Sequence, residues 1–342
     1  MAEFFYDYGL FTAKVLTVIF TVVIGLVVVI AMATRSRETK EEHIEIKRLN
    51  EHYDDVSSSL KHFMANKEEA KRLEKEQKAR DKQIKKTGGE HRHRVFVLDF
   101  DGDIKASAVS SLREEVTAIL MVANTDDEVF IKLQSAGGLV HSYGLAASQL
   151  KRIREAGIPL TAAVDKVAAS GGYMMACVAE RIIAAPFAVL GSIGVVAQIP
   201  NFNRLLKKHD VDFELVTAGE HKRTLTILGE NTQKAREKFK EDIEDTHQLF
   251  KDFVLENRPG VDIDRVATGE HWFGRRAMEI KLVDELKTSD DFLLEKHESC
   301  DLFQVSYVAK KPFSSRIAGF MQSIADRLFV AWWTRSNEKT LF

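Results

Sequence analysis

Hydrophobic and polar positions follow several distinct patterns along the chain, and each predicts a different kind of element. The run Val15–Thr34 carries no charge and is dominated by Val, Ile and Leu. A helix of about 20 such residues crosses a bilayer, so residues 1–34 are expected to form a membrane anchor. A cleaved signal peptide would have a shorter apolar region and a small-residue cleavage site, and no clear one precedes Arg35. Residues 35–94 then turn to Lys, Glu, Arg and His. Within them Ile46, Leu49, Tyr53, Val56, Leu60 and Phe63 alternate spacings of three and four, which predicts one stripe of a helix able to pair with another chain. The stripe fades between Lys67 and Lys86, so the segment reads as a charged helical stalk.

At Val95 the pattern changes to alternating strands and amphipathic helices. Strands are expected at Val95–Phe100, Glu128–Leu133 and Pro159–Val164, the last entering Ser170, with helices at Ser107–Met121 and Tyr143–Glu155. Repeated strand–helix units imply an α/β domain with a largely parallel sheet over residues 95–300. The uncharged stretch Ile182–Pro200 resembles a second span by hydropathy alone. Pro186, Gly191 and Gly194 cut it into strand-sized pieces instead. A helix is expected at Asn201–His209, a strand at Phe213–Thr217, a long charged helix at Asn231–Glu256 and a strand at Leu302–Val308. Residues 301–342 thus hold a strand and then an amphipathic helix, with Phe313, Ile317, Phe320, Ile324 and Leu328 near one face and Trp332-Trp333 at its end. That face suits a membrane surface, a neighbouring subunit or the protein's own core.

Composition narrows the partners. Basic residues number 49 against 51 acidic, with a pI of about 6.6, so no global charge points to nucleic acid. Cys177 and Cys300 are too few for a disulfide scaffold and lack metal-site spacing, and no metal or cofactor is expected. Arg35, Arg37, Lys40, Lys47 and Arg48 follow the anchor while only Lys14 precedes the apolar run. Positive-inside counting therefore favours the cytoplasmic side for the main domain.

The candidate chemistry gathers where strands end, as ligands do in open α/β sheets. Asp165-Lys166-Val167-Ala168-Ala169-Ser170-Gly171-Gly172-Tyr173 places a serine at a strand-to-helix turn among residues without bulk. Such a serine is either a nucleophile or a helix cap. Ser135-Ala136-Gly137-Gly138 ends another strand, and together the two glycine turns offer backbone N–H groups for an oxyanion hole. No phosphate-loop pattern is present. Gly191-Ser192-Ile193-Gly194 adds a further hydroxyl, and Ala218-Gly219-Glu220-His221-Lys222-Arg223 is a loop whose lysine is ordinarily solvated. His141 and His221 raise a Ser/His/Asp alternative without an obvious aspartate, and Lys166 is a rival base that the turn would aim away.

Taken in order, Gln134-Ser135-Ala136-Gly137-Gly138, the Asp165–Tyr173 motif, Gly191-Ser192-Ile193-Gly194-Val195, Ala218-Gly219-Glu220-His221-Lys222, Gly274-Arg275-Arg276-Ala277 and Leu282-Val283-Asp284 resemble the signal peptide peptidase A family of serine peptidases. The resemblance covers Val95 to about Leu286. It implies a ClpP/crotonase-like spiral of repeated β-β-α units and a peptidase of the bacterial inner membrane. Ser170 then matches the nucleophile, Lys222 the general base, and Ser192 the hydroxyl that orients the lysine. Gly171 N–H, with an N–H from Gly137 or Gly138, would hold the oxyanion. Peptides, membrane lipid and further copies in a homo-oligomeric ring are the implied partners. The chain departs from the family at Gln134 and Ala136, where Asn and Pro are usual, and at Lys281, where glycine is. A lysine base near neutral pH must lie roughly two units below the ordinary 10.4, which burial without a carboxylate partner supplies. The Glu220 side chain is accordingly expected to point away from Lys222. The rival readings are an acyl-CoA-processing enzyme on the same fold and a non-catalytic membrane scaffold.

Overall fold

The computed structural model describes residues 2–35, 42–66, 68–69, 72, 75, 92–219 and 221–309. The expected C-terminal amphipathic helix, most of the later stalk and Glu220 lie outside the described residues. The chain divides into two compact units, Ile44–Tyr307 and a second formed by Met1–His43 with Val308–Phe342. The second unit contains helix α1, Ala2–Arg35. Its stretch Tyr8–Gly25 has mean hydropathy 1.8 and is not buried in the protein, so it is long and apolar enough to cross a membrane.

The larger unit begins within β1 (His43–Arg48) and continues into α2 (Leu49–Met64). The stripe from Ile46 predicts helix throughout, yet its first residue lies in a strand. His43-Ile44-Glu45-Ile46 also alternates with period two, and pairing with β10 (Cys300–Val308) decides between the periods. Leu49 and Tyr53 pack on the core, and the buried Asn50 side chain donates to Cys300 O at 2.9 Å and accepts from Leu302 N–H at 2.7 Å. Phe63, farther along, is 92% exposed. Leu49, Asn50 and Tyr53 of the expected stalk thus pack within the unit that bears the candidate site.

The unit continues with β2 (His93–Gly102), α3 (Val109–Leu120), β3 (Glu128–Ser135), α4 (Val140–Glu155), β4 (Leu160–Val164), β5 (Val167–Ala169), α5 (Gly171–Ala176), β6 (Arg181–Ala184) and β7 (Val189–Gly191). There follow α6 (Asn203–Lys208), α7 (Gln233–Asn257), α8 (Ile263–Val266), β8 (His271–Phe273), α9 (Gly274–Glu279), β9 (Glu285–Leu286), α10 (Ser289–Ser299) and β10 (Cys300–Val308). The sheet runs β1-β10-β2-β3-β4-β6-β9, with β5 between β3 and β7, and β8 on β7. The pairs from β10 through β2, β3, β4 and β6 to β9 are parallel, and β7/β8 is antiparallel. This is a mixed α/β sheet with a buried, Val- and Ile-rich centre.

Three details position the chemistry. The strand expected to enter Ser170 is broken at Asp165-Lys166. β4 pairs with β3 through Val129↔Leu160, while β5 rejoins the same strand at Ser135↔Ala168, so the register slips by two residues. The slip lets Asp165 turn aside, where its carboxylate accepts from Ser289 N–H at 2.9 Å and Ser289 Oγ–H at 2.5 Å. Ile182–Pro200 holds two short strands, not a span. Phe213–Thr217, expected as a strand, is irregular; Val216 is 93% exposed, and this chain supplies no strand to pair with it among the described residues.

Candidate active site

Ser170 stands between β5 and α5 with φ 52° and ψ −120°. Few non-glycine residues occupy such a region, at a cost of about 1–3 kcal/mol, and the surroundings must enforce it. Here Ser170 N–H donates to Gly191 O at 2.8 Å, and Met174 N–H donates to Ser170 O at 2.9 Å. The Ser170 side chain makes no capping bond. Of the two sequence readings, nucleophile or cap, the second therefore loses its physical basis.

Ser192 repeats this bend on the neighbouring strand. β5 and β7 pair in parallel with Ala169 opposite Gly191, so the two serines leave adjacent strands at the same level. Ser192 has φ 51°, and its N–H donates to Glu270 O at 2.6 Å. Both serines are half-buried.

The turn after β3 closes on Ser170 from the other side. Gly137 has φ +89°, and a Cβ there would lie 2.7 Å from Ser170 Cβ and 2.8 Å from Gly171 N. Only a residue without a side chain permits that approach. Gly138 is pressed as tightly on the Ile104 carbonyl. One chain thus brings together Ser170, Ser192, Gly137, Gly138 and Gly171.

It does not bring Lys222 to them. Lys222 lies on an exposed loop after Gly219 (φ +97°), with its N–H donating to Gly219 O at 3.2 Å. Among the described residues, no hydrogen bond or ion pair joins its side chain to Ser170 or Ser192. The base of the loop is ordered: Asn201 Nδ2 donates to Thr226 O at 2.9 Å and Gly229 O at 3.0 Å, and Asn203 Nδ2 to Leu228 O at 3.0 Å. The rival bases fare no better. Lys166 is exposed while its carbonyl accepts from Val189 N–H, His141 is exposed on the first turn of α4, and neither is hydrogen-bonded to Ser170 among the described residues.

Behind Ser170 the turn is braced by Tyr173, Leu282 and Asp284, which the sequence placed in motifs without a stated role, and by Arg258, which it did not single out. The buried Tyr173 hydroxyl donates to Leu282 O at 3.0 Å, and burial pushes its pKa well up. Asp284 accepts from Ile182 N–H at 2.7 Å and from both terminal nitrogens of Arg258, at 2.8 and 2.7 Å. Burial alone would raise the Asp284 carboxyl, but these hydrogen bonds outweigh it and hold the group below the usual carboxylate range. Leu282-Val283-Asp284 therefore acts as an anchor for α5 and β6. Cys177, on the far side of α5, is fully buried and its thiol is pushed up to about 12 by desolvation, as befits an inert packing residue. No cluster of three or more His, Cys, Asp or Glu able to hold a metal occurs among the described residues.

Known proteins match the chain along most of its length. The N-terminal model of peptidase family S49 matches residues 3–150, and the model of peptidase family S49 itself matches residues 152–302. "Probable protease SohB" of Haemophilus influenzae is 47% identical over 348 residues, covering 98% of each chain. A protein of the same name from Buchnera aphidicola subsp. Schlechtendalia chinensis is 48% identical over 305 residues, covering 86% of this chain and 100% of its own. The solved structure of a mutant of the "1510-N membrane-bound stomatin-specific protease" is 15% identical, covers 60% of this chain and 86% of its own, and superposes with a TM-score of 0.41, a likeness too slight to argue from.

Proposed function

The chain belongs to peptidase family S49, and from that premise we propose that it is a membrane-anchored serine endopeptidase with Ser170 as nucleophile and Lys222 as general base. The observation that carries the reading is the enforced turn at Ser170, with Gly137 packed against its Cβ and Gly171 N beside it. A neutral Lys222 amine takes the Ser170 proton as Oγ attacks the scissile carbonyl, and returns it to the leaving amine. Water then repeats the sequence on the acyl-enzyme. Ser192, one strand away from Ser170, orients the amine. Gly171 N–H is one oxyanion donor. Gly137 N–H already donates to Ser135 Oγ at 3.0 Å, which favours Gly138 N–H as the second.

Two further parts belong to the same proposal. The bent parallel sheet is read as the ClpP/crotonase-like spiral of β-β-α units. Helix α1 is read as the anchor in a bacterial inner membrane, since the 18 residues of Tyr8–Gly25 rise about 27 Å, close to the thickness of a hydrocarbon core. Substrates are unfolded or membrane-released peptides such as signal peptide remnants. Exposure of Lys222 and of apolar Val196 and Val216 in a single chain supports assembly into a homo-oligomeric ring, where a neighbour's surface would strip water from the lysine. The protease relatives favour peptide hydrolysis over acyl-CoA processing or a scaffold role.

The test is covalent trapping. A peptidyl fluorophosphonate should label wild-type protein at Ser170, and Ser170→Ala and Lys222→Ala should each abolish peptide hydrolysis while leaving the thermal midpoint unchanged. Substantial hydrolysis by either purified variant would defeat the dyad.

A further inference from the structure

Beneath the Gly137-Gly138 turn lies a chain of hydroxyls that the reaction does not consume. Gly137 N–H donates to Ser135 Oγ at 3.0 Å, Ser135 Oγ lies 2.5 Å from Tyr143 Oη, and the Tyr143 hydroxyl donates to the backbone carbonyl of Asp103 at 2.7 Å. The far end fixes the direction of every link. A carbonyl only accepts, so the Tyr143 proton points to Asp103 O and the Ser135 proton must point to Tyr143 Oη. The other acceptor in reach of Ser135, Gly102 O, is 3.4 Å away and makes a weaker bond. Ser135 keeps a lone pair for Gly137 N–H. Both side chains are sealed from water, Tyr143 at 0% and Ser135 at 2% exposure, where hydrogen bonds in series reinforce one another.

The Tyr143 ring meets the other half of the site. A Cβ on Gly171 would overlap Tyr143 Cγ, Cδ2 and Cβ, so Gly171 rests directly on the root of the ring. Gly172 is pressed against Ser135 in the same way, a Cβ there falling 2.5 Å from Ser135 O. One tyrosine therefore supports Gly171 through its ring and the Gly137-Gly138 turn through its hydroxyl and Ser135.

The geometry points to Tyr143 and Ser135 as positioning residues that set the separation and aim of the two oxyanion donors, Gly171 N–H and Gly138 N–H. Neither touches substrate, and the assignment rests on the reading of Ser170 as nucleophile. Oxyanion donors accelerate acyl transfer only when they are aimed at the tetrahedral oxygen in preference to the planar carbonyl. Loosening their floor should weaken transition-state binding and spare ground-state binding.

Tyr143→Phe keeps the ring and removes one link, while Ser135→Ala removes the link next to the turn. The full chain in detergent is assayed for peptide hydrolysis, for inhibition by a peptide boronate that forms a tetrahedral adduct on a serine, and for competition by an uncleavable peptide. Expected for Tyr143→Phe is a fall in kcat of about tenfold, the scale of one buried hydrogen bond, with a larger fall for Ser135→Ala. KM and competition by the uncleavable peptide should hold steady, and boronate affinity should drop in step with kcat/KM. Unchanged kcat in folded Tyr143→Phe, or lowered kcat with boronate affinity intact, would overturn the assignment. If Tyr143→Phe does not fold, Ser135→Ala carries the same comparison. Failure of the underlying reading looks different: wild-type protein unlabelled at Ser170 by the fluorophosphonate, or an active Ser170→Ala protein, would overturn nucleophile and positioning residues together.

Discussion

Ser170 and Lys222 occupy ground of opposite character. Ser170 is held by a backbone bond to β7, a helix behind it, a glycine turn pressed against its Cβ and the Tyr173–Leu282 and Arg258–Asp284 braces. Lys222 sits on an exposed, irregular loop whose base is tied down by Asn201 and Asn203. The geometry around the proposed nucleophile is built within one chain, and that around the proposed base is not. A side chain that must lose its proton near neutral pH needs water taken from it, and a folded single chain leaves Lys222 in solvent. Under the proposed dyad, control of activity would fall on the lysine side and stability on the serine side.

The largest expected effect tests the lysine side. Ser170→Ala and Lys222→Ala proteins, each expected to be inactive, are mixed after dissociation and reassembled. In the proposed ring, activity should return from nothing, because an intact serine and an intact lysine would meet across a subunit boundary. No recovery in verified mixed oligomers would mean that the loop closes on its own chain's serine. On the serine side, Arg258→Ala should lower unfolding stability by about 2 kcal/mol, since it strands a partly buried carboxylate. The pair's pH dependence follows from the sign of the shift. Asp284 is held below its ordinary value, so its contribution is present above about pH 4 and is lost as pH falls through the lowered value. The gap between Arg258→Ala and wild type, read from urea midpoints, should therefore narrow as pH falls below the ordinary carboxylate range. The smallest effect is at Lys281, a non-glycine residue held at φ 63°. Lys281→Gly should stabilise the protein by about 0.5–1 kcal/mol, visible as a raised thermal midpoint with kcat unchanged.

The same contrast explains what the sequence disclosed. Between Val95 and Ala184 strands and helices are buried, so their apolar period is imposed by the core they build, and the expected elements stand within a few residues of those found. The serine turn was equally legible, because glycines beside a serine are required by close approach. Phe213–Thr217 shows the converse: Phe213, Leu215 and Val216 suit a strand, but strand formation needs a partner, and the irregular, exposed segment has none among the described residues of one chain. β1 was missed because Ile44 and Ile46 fit both a strand period and the start of a helical stripe, and β10, some 250 positions away, arbitrates. The Ser135–Tyr143 chain was hidden for another reason. Each residue had a sufficient local role, one ending a strand and one opening a helix, and nothing in their spacing discloses a shared hydrogen bond.

The carboxylate of Asp165 waits for a partner 124 positions downstream, since Ser289 supplies two hydrogen bonds to it. On a ribosome adding about 5–20 residues per second, that partner arrives roughly 6–25 s after Asp165 itself is made. Until then the two-residue slip leading into β5 lacks these two bonds, and the approach to the bend at Ser170 is held less firmly. Synthesis order would thus delay the appearance of a reactive hydroxyl until nearly the whole enzyme exists, a safeguard for a protease born beside other nascent chains. Ribosome-bound chains stalled before Ser289 should accordingly resist phosphonate labelling at Ser170, and labelling at the full-length rate would show that the turn forms without its late partner.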